Sequence, residues 1–173
     1  MSEILHGLIL FLHDLSTSMP LPLFTAVAAF IEEVIAPIPS PLVMTLAGSL
    51  AASAGHPVVY LGLLALVGGI AKTIGSWVVY VLADLGEDIV LGRFGKYLGI
   101  SHVEVEAFGQ HLKGRRDGLV IFLLRAIPII PTAPVSLVAG LIKIHLRTYL
   151  IYTFLGTLVR NVLYLYFGYT SLQ

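Results

Sequence analysis

Along the chain, apolar residues dominate four long stretches, and charge almost vanishes from them. Residues 34–71 contain no Asp, Glu, Lys or Arg. One charge, Lys72, falls in 57–83, one, Arg125, in 118–142, and one, Arg160, in 148–169. A helix needs about 20 mainly apolar residues to cross a bilayer. Residues 57–84 and 147–170 meet that length without interruption, and each predicts a transmembrane helix.

Proline interrupts the other two stretches. Residues 21–54 are broken at Pro37, Pro39 and Pro41, and residues 118–143 at Pro128, Pro131 and Pro134. Each proline removes a backbone donor and clashes with the preceding turn, so the helix cannot run through. The flanking halves, about 10–15 residues each, are too short to cross alone. The pattern predicts half-helix, turn, half-helix, entering and leaving on one face. Non-helical backbone is tolerated at membrane depth only inside protein or beside a watery cavity. The expected fold is therefore all-α: a single polytopic membrane domain over 1–173 with two re-entrant helical hairpins, each followed by a transmembrane helix.

The two broken segments align at an offset of 92. Phe30, Ile35, Ile38, Pro39, Val43, Ala47 and Gly48 meet Phe122, Ile127, Ile130, Pro131, Val135, Ala139 and Gly140, seven identities in the 21 positions 30–50. Paired proline-broken segments in two halves of a transporter point to its binding site. One span separates the segments, so an inverted repeat entering from opposite faces is expected. Between the halves lies the long polar stretch 85–117, with Arg93, Lys96, Lys113, Arg115 and Arg116, while Lys and Arg are absent before position 72. Basic residues mark the cytoplasmic side. Residues 85–117 read as an amphipathic connector on the headgroups. Residues 1–20 carry Glu3, His6, His13 and Asp14 with leucines at helical spacing, which predicts an interfacial amphipathic helix rather than a signal peptide.

Composition agrees and narrows the chemistry. Of 173 residues, 57% are apolar and 12% charged, against about one-quarter charged in a soluble domain. Mean hydropathy is +0.94. Ten basic residues balance ten acidic ones, so nothing favours nucleic acid as a partner. With no cysteine, thiolate chemistry and Cys-based metal sites drop out. The six histidines lack the spacing of a zinc helix, and no G-x-S-x-G motif occurs, so neither metal nor enzymatic activity is expected.

The charges that remain at bilayer depth are the candidate site: Glu32, Glu33, Lys72, Arg125 and Arg160. A charge at the centre of a membrane helix costs about 2.5–3.5 kcal/mol on insertion scales, so these groups must face a cavity or one another. At the repeat offset Glu33 corresponds to Arg125. Arg125 and Arg160 suit a phosphate, because the guanidinium fork matches its oxygens. Helix N-termini near Pro41 and Pro134 would add backbone donors. Glu32 or Glu33 would take up a proton. The structural alternative is a set of buried ion pairs that fix helix packing. Tyr149, Tyr152 and the other span aromatics read as belt or packing residues.

These residues also carry a resemblance. Phe30 to Ser40 (FIEEVIAPIPS), followed by Leu46-Ala47-Gly48, resembles the first motif of the DedA membrane proteins, the SNARE-associated Golgi or VTT superfamily. Arg125-Ala126-Ile127-Pro128, then Ala139-Gly140, resembles the second motif, and Gly68 to Tyr80 the glycine-rich stretch between them. The resemblance covers roughly residues 25–170. It implies paired re-entrant helices and movement of lipid between leaflets: undecaprenyl phosphate recycling with proton-dependent homeostasis in bacterial members, phospholipid scrambling in eukaryotic ones. It aligns Glu32 with the family's acid and Arg125 with its first arginine, whereas the repeat favours Glu33. The chain departs from the pattern at Pro41 and near Ser76, where members often have acids, and at Pro131, where they have a second Arg. A final helix found in many members is expected to be missing. The expected partners are lipids with anionic phosphate headgroups and further copies of the chain, with no cofactor beyond a coupled proton. The rivals are a small-solute or drug exporter and a protein that only shapes the membrane.

Overall fold

The computed structural model describes residues 18–34, 40–85 and 117–171. Six helices and no strand occur among them: α1 Leu21–Val34, α2 Ser40–Ser53, α3 Tyr60–Leu85, α4 Asp117–Ala126, α5 Thr132–Leu141 and α6 Leu146–Thr170. Two of them, α3 and α6, have the length and composition to cross a membrane. The helices expected at 1–20 and in the connector lie outside the described residues, apart from their edges, as do Pro37 and Pro39.

The second proline-rich segment is split as its composition requires: α4 ends at Ala126 and α5 begins at Thr132. In the first, α1 and α2 flank residues 35–39, which lie outside the described residues. Within each segment the two helices pack against one another. Pro128 and Pro131 lie in the second turn, and Pro131 is the N-cap of α5 with extended backbone (φ −62°, ψ 135°). Pro41 and Pro134, expected in the turns, instead occupy the first turns of α2 and α5. First-turn N–H groups have no helical partner, so proline costs little there.

The second helices end alike. The Gly55 N–H donates to Ala52 O (2.9 Å) and the His56 N–H to Ala51 O (3.0 Å). The Lys143 N–H donates to Gly140 O (3.0 Å) and the Ile144 N–H to Ala139 O (3.1 Å). This is the Schellman arrangement, which closes the last carbonyls of a helix through one left-handed residue. That residue is Gly55 (φ 70°) after α2 but Lys143 (φ 54°) after α5, which is one turn shorter.

The chain forms two compact units, Met1–Lys72 with Asn161–Gln173, and Thr73–Arg160. In the first, α1 buries Phe24, Thr25, Ala28, Ala29, Glu32 and Glu33, an i, i+4 stripe that is apolar at one end and acidic at the other. There α2 and α6 approach at their backbones. A Cβ on Gly48 would collide with Leu165 O, one on Gly168 with Thr45 O, and the Ser49 hydroxyl donates to Gly168 O (2.9 Å). Small residues at such crossings are the usual device for close helix packing in lipid. In the second unit Tyr80, Ile121, Ala139, Ile144 and Tyr149 form the core. The outward faces of both long helices are apolar, with Leu63, Ile70, Ile74, Ile151, Leu163 and Phe167 exposed. A water-facing surface would carry charge at such positions; hydrocarbon does not require it.

The left-handed lysine and glycine predict stability changes of opposite sign. Lys143→Gly removes a Cβ from a strained position and is expected to add about 1 kcal/mol, while Gly55→Ala is expected to cost about as much. Thermal unfolding in detergent reads both; two changes of the same sign would overturn the assignment of these caps.

Candidate functional site

Each unit contains buried charge. In the first, the Lys72 ammonium on α3 donates to Glu32 Oε1 on α1 at 2.7 Å, with both side chains almost wholly buried. Glu33, the next residue, is equally buried. Of the predicted site residues, Glu32, Glu33 and Lys72 belong to this unit, and Arg125 and Arg160 to the other.

In the second unit Arg125 is fully buried near the C-terminal end of α4. Its Nη2 donates to Ser136 Oγ on α5 (2.6 Å) and to Tyr149 Oη on α6 (2.9 Å). The Tyr149 hydroxyl in turn donates to Ser76 O on α3 (3.3 Å). The Tyr149 ring lies 6.0 Å from the guanidinium carbon and stacks on Tyr80, centroids 4.9 Å apart. The Tyr80 hydroxyl donates to Ile144 O (2.6 Å), just past α5. One guanidinium thus collects hydroxyls from two further helices. Gly156 makes this approach feasible: a Cβ there would sit 2.6 Å from Arg125 Cβ and from Phe122 O, so α6 lies directly on α4.

Arg160 does something different. Its Nη2 donates to Leu124 O, Ile127 O and Ile130 O, the first and last at 3.4 and 2.8 Å. These carbonyls lie in the last turn of α4 and in the turn after it, and a cation at a helix C-terminus also suits the helix dipole. That nitrogen is committed to holding the break.

Sequence reading missed Tyr149, Ser136 and two threonines. Thr153 and Thr157 on α6 are buried, and neither hydroxyl has a hydrogen-bond partner. With Tyr149 and Arg160 they form an i, i+4, i+8, i+11 stripe, which marks one helix face and was visible as a spacing. The same unit holds an apolar cavity of about 210 Å³ lined by Ile121, Leu124, Ile130, Pro131, Val135 and Val138 among others. Among the described residues no group of three His, Asp or Glu is placed to hold a metal.

Helices with apolar outer faces around buried charge define an integral membrane protein. The VTT domain family model matches residues 38–170, and the chain belongs to that family, the DedA membrane proteins. It is similar to an "alkaline phosphatase-like protein" of Lactococcus lactis subsp. lactis (31% identical over 144 residues, 80% of this chain and 64% of that one). An equally named protein of L. lactis subsp. cremoris matches to the same extent, and the Bacillus subtilis "uncharacterized membrane protein YkoX" is 30% identical over 131 residues, 76% of this chain and 57% of that one. The chain therefore spans less than two thirds of these relatives' length. No solved structure matches it.

The Glu32–Lys72 pair generates a prediction about folding. Removing one partner leaves a buried charge uncompensated, so Glu32→Gln and Lys72→Met are each expected to cost about 3–5 kcal/mol. The double variant should cost less than the sum of the singles, with a coupling of about 0.5–3 kcal/mol. Additive losses in a thermal double-mutant cycle would show that the pair does not act as a unit.

Proposed function

We propose that the protein moves a phosphate-bearing lipid, undecaprenyl phosphate or a phospholipid, between the leaflets of a bacterial cell membrane. The observation that carries this reading is Arg125: a fully buried guanidinium at a helix break, with hydroxyls from two other helices on one of its nitrogens. A guanidinium fork held by hydroxyls can exchange them for phosphate oxygens. On this reading each broken segment is a re-entrant hairpin and the two are inverted copies. The seven sequence identities at an offset of 92 support that assignment.

The acids divide the work. Glu32 pairs with Lys72, and the proton role is assigned to Glu33 because it stands at the repeat position of Arg125. Arg160 keeps the break closed rather than binding the headgroup. The L. lactis relatives' name refers to phosphatase chemistry, which shares the phosphate group with this reading and supplies a control for its test.

The test is reconstitution in vesicles carrying labelled undecaprenyl phosphate, with leaflet exchange and inorganic phosphate release followed together. Wild type is expected to accelerate exchange without releasing phosphate. Arg125→Lys is expected to lose at least about tenfold of the rate, because an ammonium lacks the planar fork. Exchange no faster than in empty vesicles would overturn the reading, and release of phosphate would replace it with a hydrolase.

A further inference from the structure

Threonine and serine in a helix usually return their hydroxyl to the carbonyl one turn back. This chain follows the habit elsewhere. Thr25 donates to Leu21 O (2.8 Å), Ser53 to Ser49 O (3.0 Å) and Thr170 to Tyr166 O (3.0 Å). Thr153 and Thr157 do not, although both are buried to within 1%. Two hydroxyls one turn apart on α6 are thus buried and left without a hydrogen-bond partner. A buried hydroxyl in that condition is destabilising, and native structures keep few of them.

Their surroundings indicate what they are for. Tyr149, one turn before Thr153, already donates to α3 and accepts from Arg125. Gly156, between the two threonines, presses α6 against Arg125 Cβ. The two hydroxyls lie about 6 Å apart along the helix axis, one turn each from the next polar group of the stripe.

We propose that Thr153 and Thr157 are binding residues for a phosphate monoester headgroup, donating to its oxygens one after the other along α6 beside Arg125. The inference rests on the lipid-moving reading for the nature of the ligand, and it adds two residues and a direction to the site. Each hydroxyl offers one donor, so the ladder recognises an acceptor-rich anion; an uncharged headgroup would gain little from it.

The test uses Thr153→Val/Thr157→Val, which keeps the shape and removes both hydroxyls, and Thr153→Ser/Thr157→Ser, which keeps the hydroxyls. Thermal unfolding of the detergent-solubilised full chain is measured alone, with dioleoyl phosphatidic acid, with dioleoylglycerol as the same lipid without phosphate, and with inorganic phosphate. Leaflet exchange of labelled phosphatidic acid is measured in vesicles. The valine variant is expected to unfold at the same or a higher temperature than wild type, to lose the stabilisation by phosphatidic acid and to exchange lipid at least about tenfold more slowly. The serine variant is expected to retain both. Stabilisation by phosphatidic acid but not by inorganic phosphate identifies a lipid headgroup; equal stabilisation by both identifies a site for the free anion, and overturns the lipid part of the inference. A valine variant that binds and exchanges like wild type overturns it entirely, and so does one that fails to fold, since the hydroxyls would then be structural. Wild type that is stabilised by phosphatidic acid through these threonines yet moves none refutes the transport reading alone.

Discussion

Arg160 holding the carbonyls of Leu124, Ile127 and Ile130 is the contact on which the second broken segment depends. A helix that stops at apolar depth exposes carbonyls that hydrocarbon cannot solvate, and each unsatisfied group costs several kcal/mol. Proline ensures the stop, and a guanidinium from a neighbouring long helix makes it tolerable. Two carbonyls of the turn, Ile127 O and Ile130 O, are tied to the same nitrogen. The sequence pattern of proline without polar side chains in the turn is explained by this donor arriving from elsewhere.

The other charges obey the same constraint by other means. Glu32 is met by an ammonium at 2.7 Å, the direct route to compensation. Arg125 is met by Ser136 and Tyr149, neutral dipoles that share one guanidinium among three helices. The Glu32–Lys72 contact joins opposite charges, whereas the hydroxyl contacts of Arg125 tie one guanidinium nitrogen to two other helices.

Much of the architecture was legible. Pro128 and Pro131 located the second break because their effect on a helix is local and steric, and charge-free length located the long helices. Fine placement was less so. Pro41 and Pro134 read as turn residues, yet first-turn positions accept proline, and they stand second in α2 and third in α5. Arg160 read as a headgroup residue because a guanidinium suits phosphate and carbonyls alike, and sequence does not say which it will face. Tyr149 read as a belt aromatic because its partner lies 24 residues away and on another helix. Side-chain destinations depend on tertiary contact, which periodicity does not encode.

The glycines and the cavity of the second unit have a mechanical consequence. Gly156 fastens α4 to α6, and Gly140, whose Cβ would strike Tyr80 O and Ala83, fastens α5 to α3. Between α4 and α5 lies the apolar cavity instead. Dense interfaces shift as rigid pieces, whereas an interface with a gap can yield without forcing side chains into one another. Of these three contacts, the one between α4 and α5 is therefore the softest, and the proline turn lies at its edge.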